Sequence, residues 1–209
     1  MCIIKRISTS GSGDKLLLLI AAPNGENKTI AVGCETYRRL GLTKGEISEA
    51  TYRELIAASS YEAALTKGVR ILGYGANSPR QLKNKLSRSG VSRENAEACV
   101  DELRARGYLN ESADAKRLSE GLIKKGYGPK RILASLRSKG YSDEALEAVL
   151  EVFDEIDFEE ACTRVAREKF KSLKNERAEV QKALAKLVNL GYNVSDAKKA
   201  LETVLSEQN

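Results

Sequence analysis

The sequence predicts a mainly α-helical protein, an elongated series of tandem three-helix repeats preceded by a small module of a β-hairpin and a helix. Two observations support this prediction. The segment Ser78–Val100 aligns without a gap on the segment fifty positions later that ends at Leu150. Apolar residues also recur at helical spacing from about residue 60 onward. Charged residues make up 31% and hydrophobic residues 42% of the 209 residues, a composition typical of a folded globular chain.

Residues 1–59 form the predicted N-terminal module. Residues 1–33 are expected to be β structure, with two strands in KLLLLIA and KTIAVG. The dipeptide Asn24-Gly25 between these strands favours a hairpin turn, whose central positions take positive φ. A short helix is expected to end at Gly41, and another to begin near Ser48. Because a lone hairpin is only marginally stable in water, this one is expected to pack on a neighbouring element.

The first repeat is expected to cover residues 60–110. A first helix is predicted in SYEAALTKGVRILGYG, and a second begins at Pro79, which suits a first turn because its missing N–H needs no partner there. Gly90 ends the second helix and Ser92 caps the third. The inward-facing residues are predicted to be Leu82, Leu86, Ala96, Cys99, Val100 and Leu103.

The second repeat, residues 111–156, follows the same order. Its second helix begins at Pro129 and ends at Gly140, and its third is capped by Ser142. The inward-facing residues of these two helices are predicted to be Ile132, Leu133, Leu136, Leu146, Val149, Leu150 and Phe153.

A third and divergent repeat is predicted over residues 157–209. Leu187, Gly191 and Leu201 correspond to residues of the second repeat at an offset of 51 positions, but the proline is absent and the lead-in is longer. Terminal repeats are often atypical because one of their faces has no neighbour.

Several function classes are excluded or disfavoured by what the sequence lacks. It has no histidine, no GxxxxGK[ST] phosphate loop and no GxGxxG motif, so we expect no enzyme activity, no cofactor and no metal. Its four cysteines form no CxxC pair and are expected to be reduced and mostly buried. The longest apolar run, residues 16–22, is too short to span a bilayer, and we expect a cytoplasmic protein with no membrane partner.

Charge is distributed unevenly within the two clearest repeats. Seven basic residues and no acidic residue lie between Ala64 and Arg93, and the second repeat has a similar block, whereas the third helix of each repeat is rich in Asp and Glu. Part of this pattern suits helix dipoles and pairing between neighbouring helices. We interpret the basic residues beyond those needed for these roles as a surface that binds phosphates or an acidic face of a protein. The candidate residues are Arg80, Lys83, Arg88, Lys116, Arg117, Lys124, Lys125, Lys130, Arg131, Arg137 and Lys139.

The second helix of the second repeat is the central part of this predicted surface. Because Ile132 and Leu136 are expected to face inward, Lys130, Arg131 and Arg137 are expected to point outward.

The chain resembles the bacterial regulatory protein RecX family over about residues 60–206. The likeness is carried by a Ser-x-x-x-Leu-x-x-x-Leu pattern beginning at Ser78, by GYLN at residues 107–110, by KGYGPKRI at residues 125–132 and by the LRSKG segment that ends at Gly140. The N-terminal module resembles the extension of longer members. This resemblance implies a regulator that binds in the groove of the RecA–single-stranded DNA filament. It would suppress ATP hydrolysis and strand exchange and limit filament growth, acting as a monomer without a cofactor.

Two other functions remain open at the level of sequence. A helix, a Gly turn and a Ser-capped helix also describe a helix-turn-helix DNA reader, although its third helix would then be acidic. A purely protein-binding repeat scaffold is the other alternative. The basic blocks suit direct contact with DNA as well as contact with RecA.

Overall fold

The computed structural model describes residues 1–22 and 25–208. The chain divides into two compact units. The first contains Met1–Gly75 and Leu82–Tyr108, and the second contains Ala76–Gln81 and the chain from Leu109 onward. The start of one helix therefore belongs to the second unit, although the rest of that helix belongs to the first.

The first unit begins with a four-stranded antiparallel sheet. Its strands are β1 (Cys2–Thr9), β2 (Lys15–Ala21), β3 (Asn27–Gly33) and β4 (Gly45–Ile47), in the spatial order β3-β2-β1-β4. The predicted strands in KLLLLIA and KTIAVG are confirmed as β2 and β3, whereas the short β4 was not predicted. Of the predicted turn, Asn24 lies outside the described residues, and Gly25 has the expected positive φ of +83°.

One face of the sheet is buried against helices. Alternate strand residues point to this face because successive side chains of a strand lie on opposite sides. Between β3 and β4 lies α1 (Cys34–Arg39), and α2 (Glu49–Gly73) follows β4. The buried residues of this core are Cys2, Ile4, Leu18, Ile20, Ile30, Val32, Leu42 and Leu55.

The long helix α2 corrects one sequence prediction. The sequence predicts a helix beginning near Ser48 and a separate one from about residue 60, but the structure has a single helix over both segments. Ser48 caps it by accepting a hydrogen bond from the Thr51 amide at 3.0 Å. The segment AASSYEAA contains no glycine or proline, so nothing in it ends a helix.

The second half of α2 packs against α4 (Arg93–Ala105), which is the third helix of the first repeat. The second helix of that repeat is α3 (Pro79–Arg88). A Cβ placed on Gly68 would lie 2.7 Å from Leu103 Cδ1, so the two helices approach closely at this point. The predicted ends are confirmed, since Gly90 has φ +83° and Ser92 accepts a hydrogen bond from the Asn95 amide at 3.2 Å.

Six helices follow in the second unit: α5 (Glu111–Lys124), α6 (Pro129–Lys139), α7 (Asp143–Asp154), α8 (Phe158–Lys169), α9 (Arg177–Asn189) and α10 (Val194–Gln208). They surround two apolar clusters. One, between α5, α6 and α7, contains Ile132, Leu136 and Val149, and the other, between α8, α9 and α10, contains Leu187 and Leu201. The helices required by the predicted repeats are therefore present, and the repeat boundaries themselves stay our proposal.

A glycine follows the second helix of each repeat, and we call it the stop glycine of that repeat. The carbonyl preceding each of these three glycines accepts a hydrogen bond from an earlier segment. Lys139 O accepts from Ser78 Oγ at 2.6 Å, and Leu190 O accepts from the Gly128 amide at 2.8 Å. The start of helix α3 thus lies on the end of α6, and the start of α6 lies on the end of α9. We call these two contacts the helix junctions.

In the first repeat, the carbonyl before the stop glycine is contacted by a lysine side chain and not by the start of another helix. Ser89 O, before the stop glycine Gly90, accepts a hydrogen bond from Lys67 Nζ at 2.9 Å. A positive charge at a helix C-terminus is favourable because the unpaired carbonyls there carry partial negative charge. A lysine of α2 therefore caps the end of α3, whereas the start of the preceding repeat's second helix contacts the ends of α6 and α9 at the helix junctions.

Candidate partner-binding surface

Two of the candidate basic residues are used by the helix junctions. Arg80 donates from Nη2 to Ser138 O at 2.5 Å, and Arg131 donates from Nη1 to Asn189 O at 2.9 Å. The Arg131 guanidinium also lies 4.7 Å from the ring centroid of Tyr127. Both arginines thus bind the carbonyl end of a following helix. Arg131 is exposed as predicted, but its charged group has an intramolecular partner.

Three further candidates form ion pairs with acidic residues. Lys83 contacts Glu97, and Lys116 contacts Glu151 at 2.6 Å, so each joins the basic part of a repeat to its acidic third helix. The hydrogen bond from Lys83, with that from Arg93, holds the pKa of Glu97 below its ordinary value.

The third of these residues, Arg117, pairs with a residue of its own helix. It contacts Asp114 one turn earlier, at 2.7 Å. Exposed pairs of this kind are screened by solvent, so all three contribute only modestly to stability.

The remaining candidates have no side-chain partner within the part of the chain that the structure describes. Five of the six are exposed, and Lys139 is half-buried. They are Arg88, Lys124, Lys125, Lys130, Arg137 and Lys139.

Five of these six residues lie within the second unit, at the end of α5 and along α6. Lys124 and Lys125 end α5, and Lys130 lies in the first turn of α6. Lys130 and Arg137 are two helical turns apart and share one face, because seven residues complete about two turns. The opposite face carries the buried Ile132 and Leu136. We call Lys124, Lys125, Lys130, Arg137 and Lys139 the α6 cations.

The chemistry available to the α6 cations is the binding of anions. Ammonium groups act as compact point charges toward phosphate, whereas guanidinium groups bind phosphate or carboxylate through two parallel hydrogen bonds. Among residues 1–22 and 25–208 there is no group of three or more acidic or cysteine side chains able to hold a metal ion. Within the same residues no helix is both long and apolar enough to cross a membrane.

Sequence reasoning missed a second group of lysines in the third repeat. Lys169, Lys171, Lys182 and Lys186 line a cleft formed by the end of α8, the connection after it and α9. The spacing of Lys182 and Lys186, four residues apart on a helix, is a signal that could have indicated them. The third repeat matches the other two poorly, so alignment of the repeats does not indicate these lysines.

Comparison with known proteins assigns the family. No family model matches the chain. A protein named regulatory protein RecX from Escherichia coli O1:K1 is 30% identical over 151 residues, which cover 66% of this chain and 89% of that protein. The chain belongs to the RecX family.

A second RecX-family relative and a solved structure agree with this assignment. Regulatory protein RecX of Caldanaerobacter subterraneus subsp. tengcongensis is 29% identical over 168 residues, covering 80% of this chain and 84% of the relative. A crystal structure of a regulatory protein RecX superposes with a TM-score of 0.79 at 20% identity, covering 97% of this chain and all of the other. At that identity the superposition supports the fold, a small antiparallel sheet followed by helices.

Proposed function

We propose that this chain regulates the RecA recombinase by binding in the groove of its filament on single-stranded DNA. Binding there suppresses ATP hydrolysis and strand exchange and limits filament growth. Membership of the RecX family is the observation that carries this proposal. The α6 cations add a surface that is free to bind RecA carboxylates or DNA phosphates.

The proposed regulator acts by binding and has no catalytic role. The sequence has no histidine and no nucleotide-binding loop, and the family relatives are named as regulatory proteins. The purified protein should therefore neither hydrolyse ATP nor cut DNA. Turnover that persists through further purification and scales with the amount of this chain would overturn the absence of catalysis.

RecA's DNA-dependent ATPase is the direct test of the regulatory function. Purified protein should lower the ATPase rate when it is present well below one copy per RecA protomer, because blocking growth at a filament end affects many protomers. Filament length, followed by electron microscopy in the same mixtures, should shorten. An unchanged ATPase rate and filament length at equimolar protein would contradict the proposal.

Inhibition that appears only when enough protein is present to coat the DNA would indicate competition with RecA for bare single strands. Order of addition separates the two cases, since a filament regulator also acts on filaments that are already formed.

A further inference from the structure

A second basic surface lies where the third repeat departs from the other two. Residues 170–176 join its first and second helices, whereas the equivalent connections are residues 74–78 and 125–128. The longer connection lies beside α9 and helps to form a cleft of about 480 Å³. This volume is within the range of small-ligand sites, roughly 300–1,000 Å³.

Four lysines surround this cleft. Lys169 and Lys171 come from the end of α8 and the connection, and Lys182 and Lys186 lie one turn apart on α9. All four side chains are exposed, and none has an ion-pair partner among the residues that the structure describes. Elsewhere in the same unit, by contrast, Lys199 is paired with a carboxylate at 2.7 Å.

An aromatic ring and two carboxylates complete the lining. Phe170 is half-buried because it packs in part against the apolar cluster of α8, α9 and α10. Its backbone carbonyl accepts a hydrogen bond from Gln208 Nε2 at 2.9 Å, which ties the connection to α10. Lys186 Nζ lies 5.9 Å from the ring centroid, at the outer limit of a cation–π contact. Of the carboxylates, Glu179 accepts a hydrogen bond from the Lys174 amide at 3.2 Å, and Glu168 is exposed.

We propose that this cleft binds single-stranded nucleic acid, with backbone phosphates at the four lysines and one base against the Phe170 ring. The cations outnumber the carboxylates that line the cleft by two to one, and one of those carboxylates is used by the connection itself. Clustered cations around an aromatic ring suit a chain in which phosphates alternate with planar bases. An acidic protein segment would match the charge but would leave the exposed part of the ring unused. The proposal requires no RecA and is independent of the proposed regulatory function.

Fluorescence anisotropy with a labelled oligo(dT) of about 20 nucleotides tests the site on the full chain. The variant Lys182→Glu/Lys186→Glu should bind about tenfold or more weakly than the wild type at about 50 mM salt, and its log–log salt slope should fall by roughly 0.7 for each phosphate that the variant no longer neutralises. The control Lys44→Glu/Lys198→Glu makes the same charge change at two exposed lysines outside the cleft. Control binding should stay much closer to that of the wild type. Equal losses in the two variants would overturn the proposal.

Amine-reactive labelling followed by mass spectrometry locates the contact without relying on a variant's folding. Bound oligo(dT) should protect Lys182 and Lys186 from modification in the wild type and leave Lys198 reactive. Protection by ATP or pyrophosphate together with none by the oligonucleotide would overturn the proposal in favour of a small phosphate ligand. Wild-type oligonucleotide affinity in the cleft variant, with loss of filament binding alone, would overturn it in favour of an acidic protein partner.

Discussion

The basic residues of α6 have two different roles. At the first turn, Arg131 donates to Asn189 O and lies over Tyr127, so its charge is used within the fold. Along the exposed flank, Lys130 and Arg137 have no side-chain partner among the described residues. Basic residues on one helix therefore have two roles. Arg131 stabilises the fold, whereas Lys130 and Arg137 are free to bind a partner.

The difference follows from the direction of the helices. A helix start presents amide groups and partial positive charge, and a helix end presents carbonyls and partial negative charge. Where the start of one helix meets the end of another, an arginine in the first turn reaches the unpaired carbonyls. This arrangement occurs at both junctions, with Arg80 and with Arg131. A cation on the flank has no such partner, and it faces solvent.

The largest expected effect comes from breaking a junction at its glycine. Gly191 has φ +99°, and a Cβ on it would lie 2.4 Å from the Arg131 amide nitrogen. Gly191→Ala should therefore lower the free energy of unfolding by about 3 kcal/mol, through backbone strain and overpacking. Urea denaturation measures this loss.

A matched glycine provides the control for that substitution. Gly121 lies within α5, and a Cβ there would meet nothing within 4 Å. Gly121→Ala should raise the free energy of unfolding by about 0.5–1 kcal/mol, because alanine favours a helix more than glycine does. Similar losses in the two variants would contradict a specific role for the junction.

A somewhat smaller effect concerns alkaline pH. Burial raises the pKa of Tyr192 from 10.0 to about 12, because the charged phenolate would lose its contact with water in the folded protein. The stability gained by keeping this phenol neutral is fully present below about pH 10 and is lost as pH rises toward 12. Two pKa units correspond to about 3 kcal/mol at most.

Tyr192→Phe separates this titration from the rest of the fold. The variant loses a hydrogen bond to Gly126 O, 3.2 Å long, and should be less stable by about 1 kcal/mol at about pH 8. Between about pH 8 and about pH 11 its free energy of unfolding should then fall less than that of the wild type. Buried Cys162, whose pKa is also raised to about 12, is present in both proteins. Parallel pH profiles would rule out the titration of Tyr192 as a cause.

The smallest stability effects distinguish Arg131, whose side chain contacts the end of α9, from its exposed neighbour Lys130. Arg131→Ala should lower the free energy of unfolding by about 1 kcal/mol, since a charged donor to the end of α9 is removed. Lys130→Ala should change it by no more than about 0.5 kcal/mol, as is usual for exposed residues without partners. A larger loss for Lys130→Ala than for Arg131→Ala would reverse the comparison.

Much of the helical part could be predicted because its signals are local. Pro79 and Pro129 begin helices, Ser92 and Ser142 cap them, and Gly140 ends one with positive φ, as the sequence indicates. Each of these features depends on a residue and its near neighbours. The continuous helix through residue 60 differs from the predicted boundary because this segment contains no helix-breaking residue.

The basic surface was harder to predict because a side chain's partner depends on packing. Nothing near Arg131 in the sequence indicates that the end of α9, 58 positions away, accepts its hydrogen bond. The same is true of Arg80 and Ser138. Helical periodicity correctly placed Lys130 and Arg137 outward, since that depends only on the spacing of Ile132 and Leu136.

Filament binding by a flank variant tests most directly whether the α6 cations bind the partner. The variant Lys124→Glu/Lys130→Glu/Arg137→Glu leaves Arg131 in place, and the control Lys28→Glu/Arg38→Glu/Lys44→Glu lowers the net charge of +6 by the same amount. Sedimentation with RecA filaments on single-stranded DNA should show sharply reduced binding for the flank variant and nearly wild-type binding for the control, with both folded by circular dichroism. Wild-type binding by the folded flank variant, or equal losses in the two, would contradict the account.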